Sequence, residues 1–264
     1  MLAPMSKYLP FALSTLVSLT SLLLSISLQA RDIKMTTSNW APFYSEELSD
    51  GGPITELVVE AFRRSGHQAS IEFQPWARAL QSGKSSDIDV IMGAYYTKNR
   101  AKTFLYSRPI LAVDVAIIAS KKLGITSYDA LSELSQFTFG IGKGWANSPE
   151  FDSASYLKKE TARNQSINVR KLIYGRLDMI VISSEVYHYE IRKQNLQHQA
   201  DKFQALTPML SKACLHLLIN KQVADHRELI DGFNQAIQGM KEDGSYLKIL
   251  KKHGISESAA EFSQ

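Results

Sequence analysis

A chain of 264 residues with 44% hydrophobic content is long enough for one large core or two of about 100 residues each. Its single cysteine, Cys214, excludes an intrachain disulfide and a thiolate metal site, and its six histidines repeat at no metal-ligand spacing. Lys and Arg are dispersed along a chain of net charge +4, which fits a soluble protein and argues against a nucleic-acid groove.

Residues 1–30 differ sharply from the rest. Lys7 is their only charge, 11–28 is rich in Leu, Ser, Thr and Val, and Leu28-Gln29-Ala30 offers a cleavage site. This predicts a secretory signal peptide and a periplasmic mature protein, whose net charge drops from +4 to +3 with the loss of Lys7. The competing reading is an uncleaved anchor, because the uncharged stretch is long enough to span a bilayer. No cysteine follows the apolar run, which excludes a lipid-anchored form.

The mature chain opens on a predicted strand over 33–37, followed by a loop, Trp40-Ala41-Pro42-Phe43, in which Pro42 blocks regular structure. Pro53 starts a helix whose apolar face is Ile54, Leu57, Val58, Ala61 and Phe62, and Gly66 stops it. Ile71 and Phe73 alternate with polar residues in a second strand, and a short helix runs from Pro75 to near Gly83, with Trp76 assigned to the core. A buried strand over 88–92 follows, ended by the small Gly93 and Ala94. Strand, helix, strand, helix and strand predict βαβ crossovers in a parallel sheet. Beyond the last strand come Tyr95, Tyr96 and Arg100. A guanidinium at the carboxyl end of such a strand suits a carboxylate, and the phenol rings can cover a ligand body. A surface arginine in a loop explains the same spacing equally well.

An apolar strand over 113–119 carries the first passage between domains. Thr126 to Asp129 predicts a capped helix through Leu134, then come a strand over 137–141 and the loop Gly142-Lys143-Gly144-Trp145-Ala146-Asn147. Ser148, Pro149 and Glu150 are placed to start the next helix, so free backbone N–H groups are expected here. The Gly-Lys-[Ser/Thr] ending of a phosphate loop is absent, and no cofactor or metal is expected. Asn168 is read as the cap of a helix to Tyr174, with a strand over 179–182 beyond Gly175. A short strand over 203–206, a return strand over 214–219, an amphipathic helix through Leu229, Ile230, Phe233, Ile237 and Met240, and a basic last helix complete the chain.

Four of these stretches together resemble the extracytoplasmic solute-binding proteins of ABC importers, family 3, the branch that includes polar amino acid binders. They are Trp40-Ala41-Pro42-Phe43; the run of Thr97, Arg100, Phe104, Tyr106, Ser107 and Pro109; the loop around Gly144; and Gly175-Arg176-Leu177-Asp178. The resemblance covers about residues 32–254. It implies an α/β, two-lobed, type II periplasmic-binding-protein-like fold, with lobe 1 at 31–111 plus 216–264 and lobe 2 at 112–215. It further implies a monomer that captures a small carboxylate-bearing solute, an amino acid or related, and delivers it to an ABC permease. The implied ligand contacts are Arg100, Trp40, Tyr95, Gly93, Gly144, Trp145, Asn147, Ser183 and Glu185. Two departures stand out: Trp145 replaces a small hydroxyl residue, and Ser183 stands where amino acid binders carry a second carboxylate. A serine cannot neutralise an ammonium group, so either the ligand lacks an α-amino group or Glu185 reaches in. Sensing for a membrane receptor, and an enzyme similar to cyclohexadienyl dehydratase, are the other readings. The enzyme reading is weakened because Glu185 has no evident catalytic partner.

Overall fold

The computed structural model describes residues 31–85 and 87–255, so the leader read from the sequence lies outside the described residues. Among the described residues no helix is long and apolar enough to cross a membrane.

The first half of the sheet forms as the hydrophobic pattern dictates. β1 (Asp32–Thr37), α1 (Pro53–Arg64), β2 (Gln68–Phe73), α2 (Trp76–Ser82) and β3 (Val90–Ala94) follow one another, and β1 pairs in parallel with both β2 and β3. β3 is buried along its whole length, as expected of a parallel strand covered on both faces. Gly93 and Ala94, read as ending this strand, are its last two residues, and Ile88 lies outside it. α1 starts with Pro53 at its first turn and buries Ile54, Leu57, Val58, Ala61 and Phe62, while Glu60, Arg63 and Arg64 face outward. Phe62 packs on Phe233 of the long C-terminal helix at 5.4 Å, so the chain's end completes the core begun by its start.

Two strands carry the chain from one half of the sheet to the other. β4 (Phe104–Tyr106) leads into β5 (Leu111–Ser120), and β10 (Ser211–Asn220) returns. Residues 211–215 of β10 pair antiparallel with 111–115 of β5, whereas 216–220 lie between β3 and β4, with a register shift between His216 and Leu217. The remainder of β5 pairs with β8 (Met179–Ser183) and β9 (Phe203–Ala205). β8 runs parallel to β6 (Thr138–Gly142), which pairs with β7 (Lys158–Ala162). The order is therefore β2-β1-β3-β10-β5-β8-β6-β7. Helices α3 (Arg100–Thr103), α4 (Pro149–Ser153), α5 (Gln165–Ile173), α6 (Ser184–Lys193), α7 (His226–Glu242) and α8 (Ser245–Lys252) complete the described fold. The Tyr246 hydroxyl donates to the Ile110 carbonyl at 2.6 Å, tying α8 to the root of β5.

Two expectations are corrected, and one strand was not foreseen. No helix opens at Thr126: Ser127 bridges to Thr207, and a single 3-10 turn starts at Leu131, where the Glu133 carboxylate accepts the Ala130 N–H at 3.1 Å. The cap of α5 is Asn164, whose side chain accepts the Ile167 N–H at 3.1 Å; Asn168 lies inside the helix and is buried. β7 was not read at all. Its sequence, Lys-Lys-Glu-Thr-Ala, is that of a polar edge strand and carries no apolar alternation.

Candidate functional site

The carboxyl ends of β1 and β3 and the loop after β6 converge on one cavity. The segment after β1 doubles back on itself: the Trp40 carbonyl accepts the N–H groups of Phe43 and Tyr44 at 3.1 and 3.2 Å. That turn stacks Trp40 on Phe43 at 4.9 Å and sets its ring 6.0 Å from Tyr95 and 6.3 Å from Trp145, both edge-on. Tyr44 crosses to β3 and donates to the Gly93 carbonyl at 3.1 Å. Gly93 has φ +83, and a Cβ there would sit 2.5 Å from the Tyr44 hydroxyl, so glycine is required by both backbone and space. Burial pushes the Tyr44 phenol far above its usual range.

Arg100 is the first residue of α3, and its N–H is held by the Thr97 hydroxyl at 3.1 Å. Its side chain is half-buried and turned into the cleft. One terminal nitrogen donates to the Tyr95 carbonyl and the other to the Gly144 carbonyl, both at 2.9 Å, and the guanidinium lies 5.4 Å from the centre of the Trp76 ring. Burial lowers its pKa from the ordinary arginine value. Both carbonyls have a second partner: Trp76 Nε1 also donates to Gly144 at 3.1 Å, and the Tyr106 hydroxyl donates to Tyr95 at 3.3 Å. The guanidinium can therefore leave without orphaning either acceptor.

Arg100, Trp40, Tyr95, Gly93 and Trp145 all line this cavity, joined by Trp76, which was expected in the core, and by Ser38, Tyr44 and Ala146, which were not expected as ligand contacts. Its volume of about 30 Å³ holds a single water molecule, so the protein's own rings and Arg100 fill it in this conformation. Outside it a cleft of about 670 Å³ shares Arg100, Gly144, Trp145 and Ala146 and adds Lys84, Lys102, Lys159 and Asp152. In this conformation the Gly144 carbonyl accepts from both Arg100 and Trp76.

The remaining expected residues, Asn147, Ser183 and Glu185, do not line this small cavity, but Asn147 lines a cleft of about 640 Å³ that shares Tyr95 and Ala146 with it. Asn147 is buried and grips Asp152, its N–H and Nδ2 reaching the two carboxylate oxygens at 2.9 and 2.8 Å. Ser183 is buried, donates to Glu185 Oε2 at 2.5 Å, and neither residue lines the cavity. Glu185 is close enough to raise the Tyr95 phenol, behind the larger effects of burial and of Tyr44. Away from the cleft, Asp50, Glu56 and His253 come together at the surface, but the Lys252 ammonium lies on both carboxylates at 2.7 and 2.9 Å.

Two α/β halves threaded by β5 and β10, with an aromatic and arginine-lined cleft, define a binding protein of the two-lobed type II fold. The chain belongs to the bacterial extracellular solute-binding proteins, family 3, whose model matches residues 33–256. It is 25% identical over 235 residues to an arginine-binding periplasmic protein of Mannheimia haemolytica, spanning 86% of this chain and 92% of that one. In structure it is similar to an ancestral arginine-binding protein bound to arginine (TM-score 0.70, 21% identity, 84% of this chain and 98% of the other). It is also similar to a histidine kinase sensor domain described as similar to periplasmic binding proteins (TM-score 0.74, 18% identity, 86% and 97%). At those identities the two structural likenesses speak for the fold alone.

Proposed function

We propose that this chain is the periplasmic receptor of an ABC importer, a monomer without enzymatic activity that captures a small carboxylate-bearing solute, an amino acid or a relative of one, and presents it to the permease. The signal peptide at 1–30, lobe 1 at 31–111 with 216–264 and lobe 2 at 112–215 belong to this proposal. The relationship to an arginine-binding periplasmic protein supports amino acid transport. One observation carries the reading: the Arg100 guanidinium sits in the cleft between Trp40, Tyr95 and Trp145, hydrogen-bonded to two neutral carbonyls that each keep another donor.

Capture is then an exchange. The guanidinium releases the neutral carbonyls of Tyr95 and Gly144 and takes a carboxylate, a stronger charge-assisted partner. The rings of Trp40, Tyr95 and Trp145 separate and reclose on the solute body. Because Trp40, Tyr95 and Arg100 come from lobe 1 and Trp145 from lobe 2, a solute touching both favours the closed form. Micromolar affinity requires about 8 kcal/mol, more than one ion pair supplies, so aromatic burial must contribute the larger part. Native mass spectrometry of freshly exported protein tests this. A small-molecule adduct is expected on the wild type and not on Arg100→Ala; equal adducts on both would contradict the role of Arg100.

A further inference from the structure

The cavity is rich in donors, and among the described residues no carboxylate lines it. Trp40 is only 6% exposed, yet its Nε1 is buried without a hydrogen-bond partner, and Trp145 Nε1 is in the same state. Both residues line the cavity beside Arg100. An indole N–H only donates, and a buried donor left unmade is destabilising, so both nitrogens call for the oxygen acceptors that the guanidinium also seeks.

A primary ammonium group finds nothing comparable. Among the described residues no Asp or Glu lines the cavity, and the carbonyls of Gly93, Tyr95 and Gly144 are neutral acceptors that keep the Tyr44 hydroxyl, the Tyr106 hydroxyl and Trp76 Nε1 as donors when Arg100 leaves. Glu185 lies beyond Tyr95 with its carboxylate on Ser183. The outer cleft adds positive potential: Lys84, Lys102 and Lys159 face a single acid, Asp152, which Asn147 already engages through two donors. A cationic solute entering there meets repulsion, whereas an anion is drawn in.

Building on the proposed receptor role, we infer that the solute of this cleft is a net anion, a carboxylate with a flat or apolar body and no primary ammonium group, rather than an α-amino acid. Its carboxylate is held by Arg100, with the Trp40 and Trp145 N–H groups donating to its oxygens. The body lies among the rings.

Calorimetry on mature protein stripped of bound solute by unfolding and refolding tests this with two matched pairs: 3-phenylpropanoate against L-phenylalanine, and 4-methylpentanoate against L-leucine. The expected result is that the member without the α-amino group binds at least ten-fold more tightly in a pair that binds. Trp40→Phe, which keeps a ring and removes the donor, is expected to weaken that member about ten-fold. Tighter binding of L-phenylalanine or L-leucine overturns the inference and leaves the receptor role standing. Unchanged affinity in Trp40→Phe overturns the part assigned to the indole donor. Binding of none of the four overturns the inference together with the reading of Arg100 as a carboxylate anchor.

Discussion

Replacing Arg100 by methionine separates binding from folding, because the two depend on different partners of the same side chain. In the free protein the guanidinium makes two hydrogen bonds, to the carbonyls of Tyr95 and Gly144; because Tyr106 and Trp76 also donate to those carbonyls, losing each bond orphans no acceptor and costs only about 0.5–1.5 kcal/mol. In the complex these become bonds to a carboxylate, about 1.5–3 kcal/mol each. The variant loses the latter but no longer has to break the former, so the net deficit is about 1–1.5 kcal/mol per bond, or about 2–3 kcal/mol in all. That corresponds to a roughly 30- to 150-fold rise in Kd. Stability changes far less, since Trp76 and Tyr106 still donate to the two carbonyls and methionine keeps the contact with the Trp76 ring. A cost of about 1 kcal/mol lowers Tm by roughly 2–4 °C in a domain of this size. Titration calorimetry and scanning calorimetry on the same samples read both quantities. A Kd within three-fold of wild type, or a Tm lowered by more than about 10 °C, would refute the reasoning.

Three further expectations are independent of the solute's identity. In Gly142→Ala the new Cβ lies 2.4 Å from the Trp145 ring, which must retreat by about 1 Å to reach ordinary contact; weaker solute binding and a shifted tryptophan emission are expected, and wild-type values for both would exclude the ring as a wall of the site. Tyr246→Phe removes the bond to Ile110 and is expected to lower stability by about 1–2 kcal/mol in urea unfolding with Kd unchanged; an unaltered midpoint would show that the hydroxyl does not anchor α8. Arg63 and Arg64 hold the Glu60 carboxyl at about 2, and Ser245 with Arg64 does the same for Asp243. Both values are depressed in the folded state, so the folded chain binds fewer protons than the unfolded one below ordinary carboxylate values. Stability should therefore hold above about pH 5 and decline from about pH 4.5 toward pH 2. The effect is small, since both groups are solvent-screened. Glu60→Gln should flatten this acid limb, and an identical limb would remove Glu60 from the explanation.

Much of the fold was legible because its strands are buried and its helices amphipathic. The apolar run ending at Gly93 and the stripe from Leu229 to Met240 each face a core that leaves a periodic trace. β7 left none, since an edge strand facing solvent needs no alternation. The cap of α5 was misplaced by four residues because Asn164 and Asn168 are equally good caps in sequence, and only the buried environment of Asn168 tells them apart.

The cavity lining was legible where a residue closes its strand or stands within a few residues of the strand's end, as Gly93, Tyr95, Trp40 and Arg100 do. Trp76 was assigned to the core on its helical face and does pack there with Ala79 and Phe104, yet its indole nitrogen reaches a carbonyl 68 residues away. No local spacing reveals that contact. Tyr44 had one signal in the sequence, a bulky phenol next to the Trp40 turn opposite a strand glycine with no side chain to block it. Ser183 and Glu185 were read by their distance from Asp178, and that spacing does not reveal that the serine hydroxyl donates to the carboxylate two residues on.

The most direct measurement is a crystal structure of the protein with the solute it retains on export. An Arg100 terminal nitrogen within about 3 Å of an oxygen of that solute, with the Gly144 carbonyl still held by Trp76, is the expected result. A guanidinium that remains on Tyr95 and Gly144 while the solute binds elsewhere would contradict it.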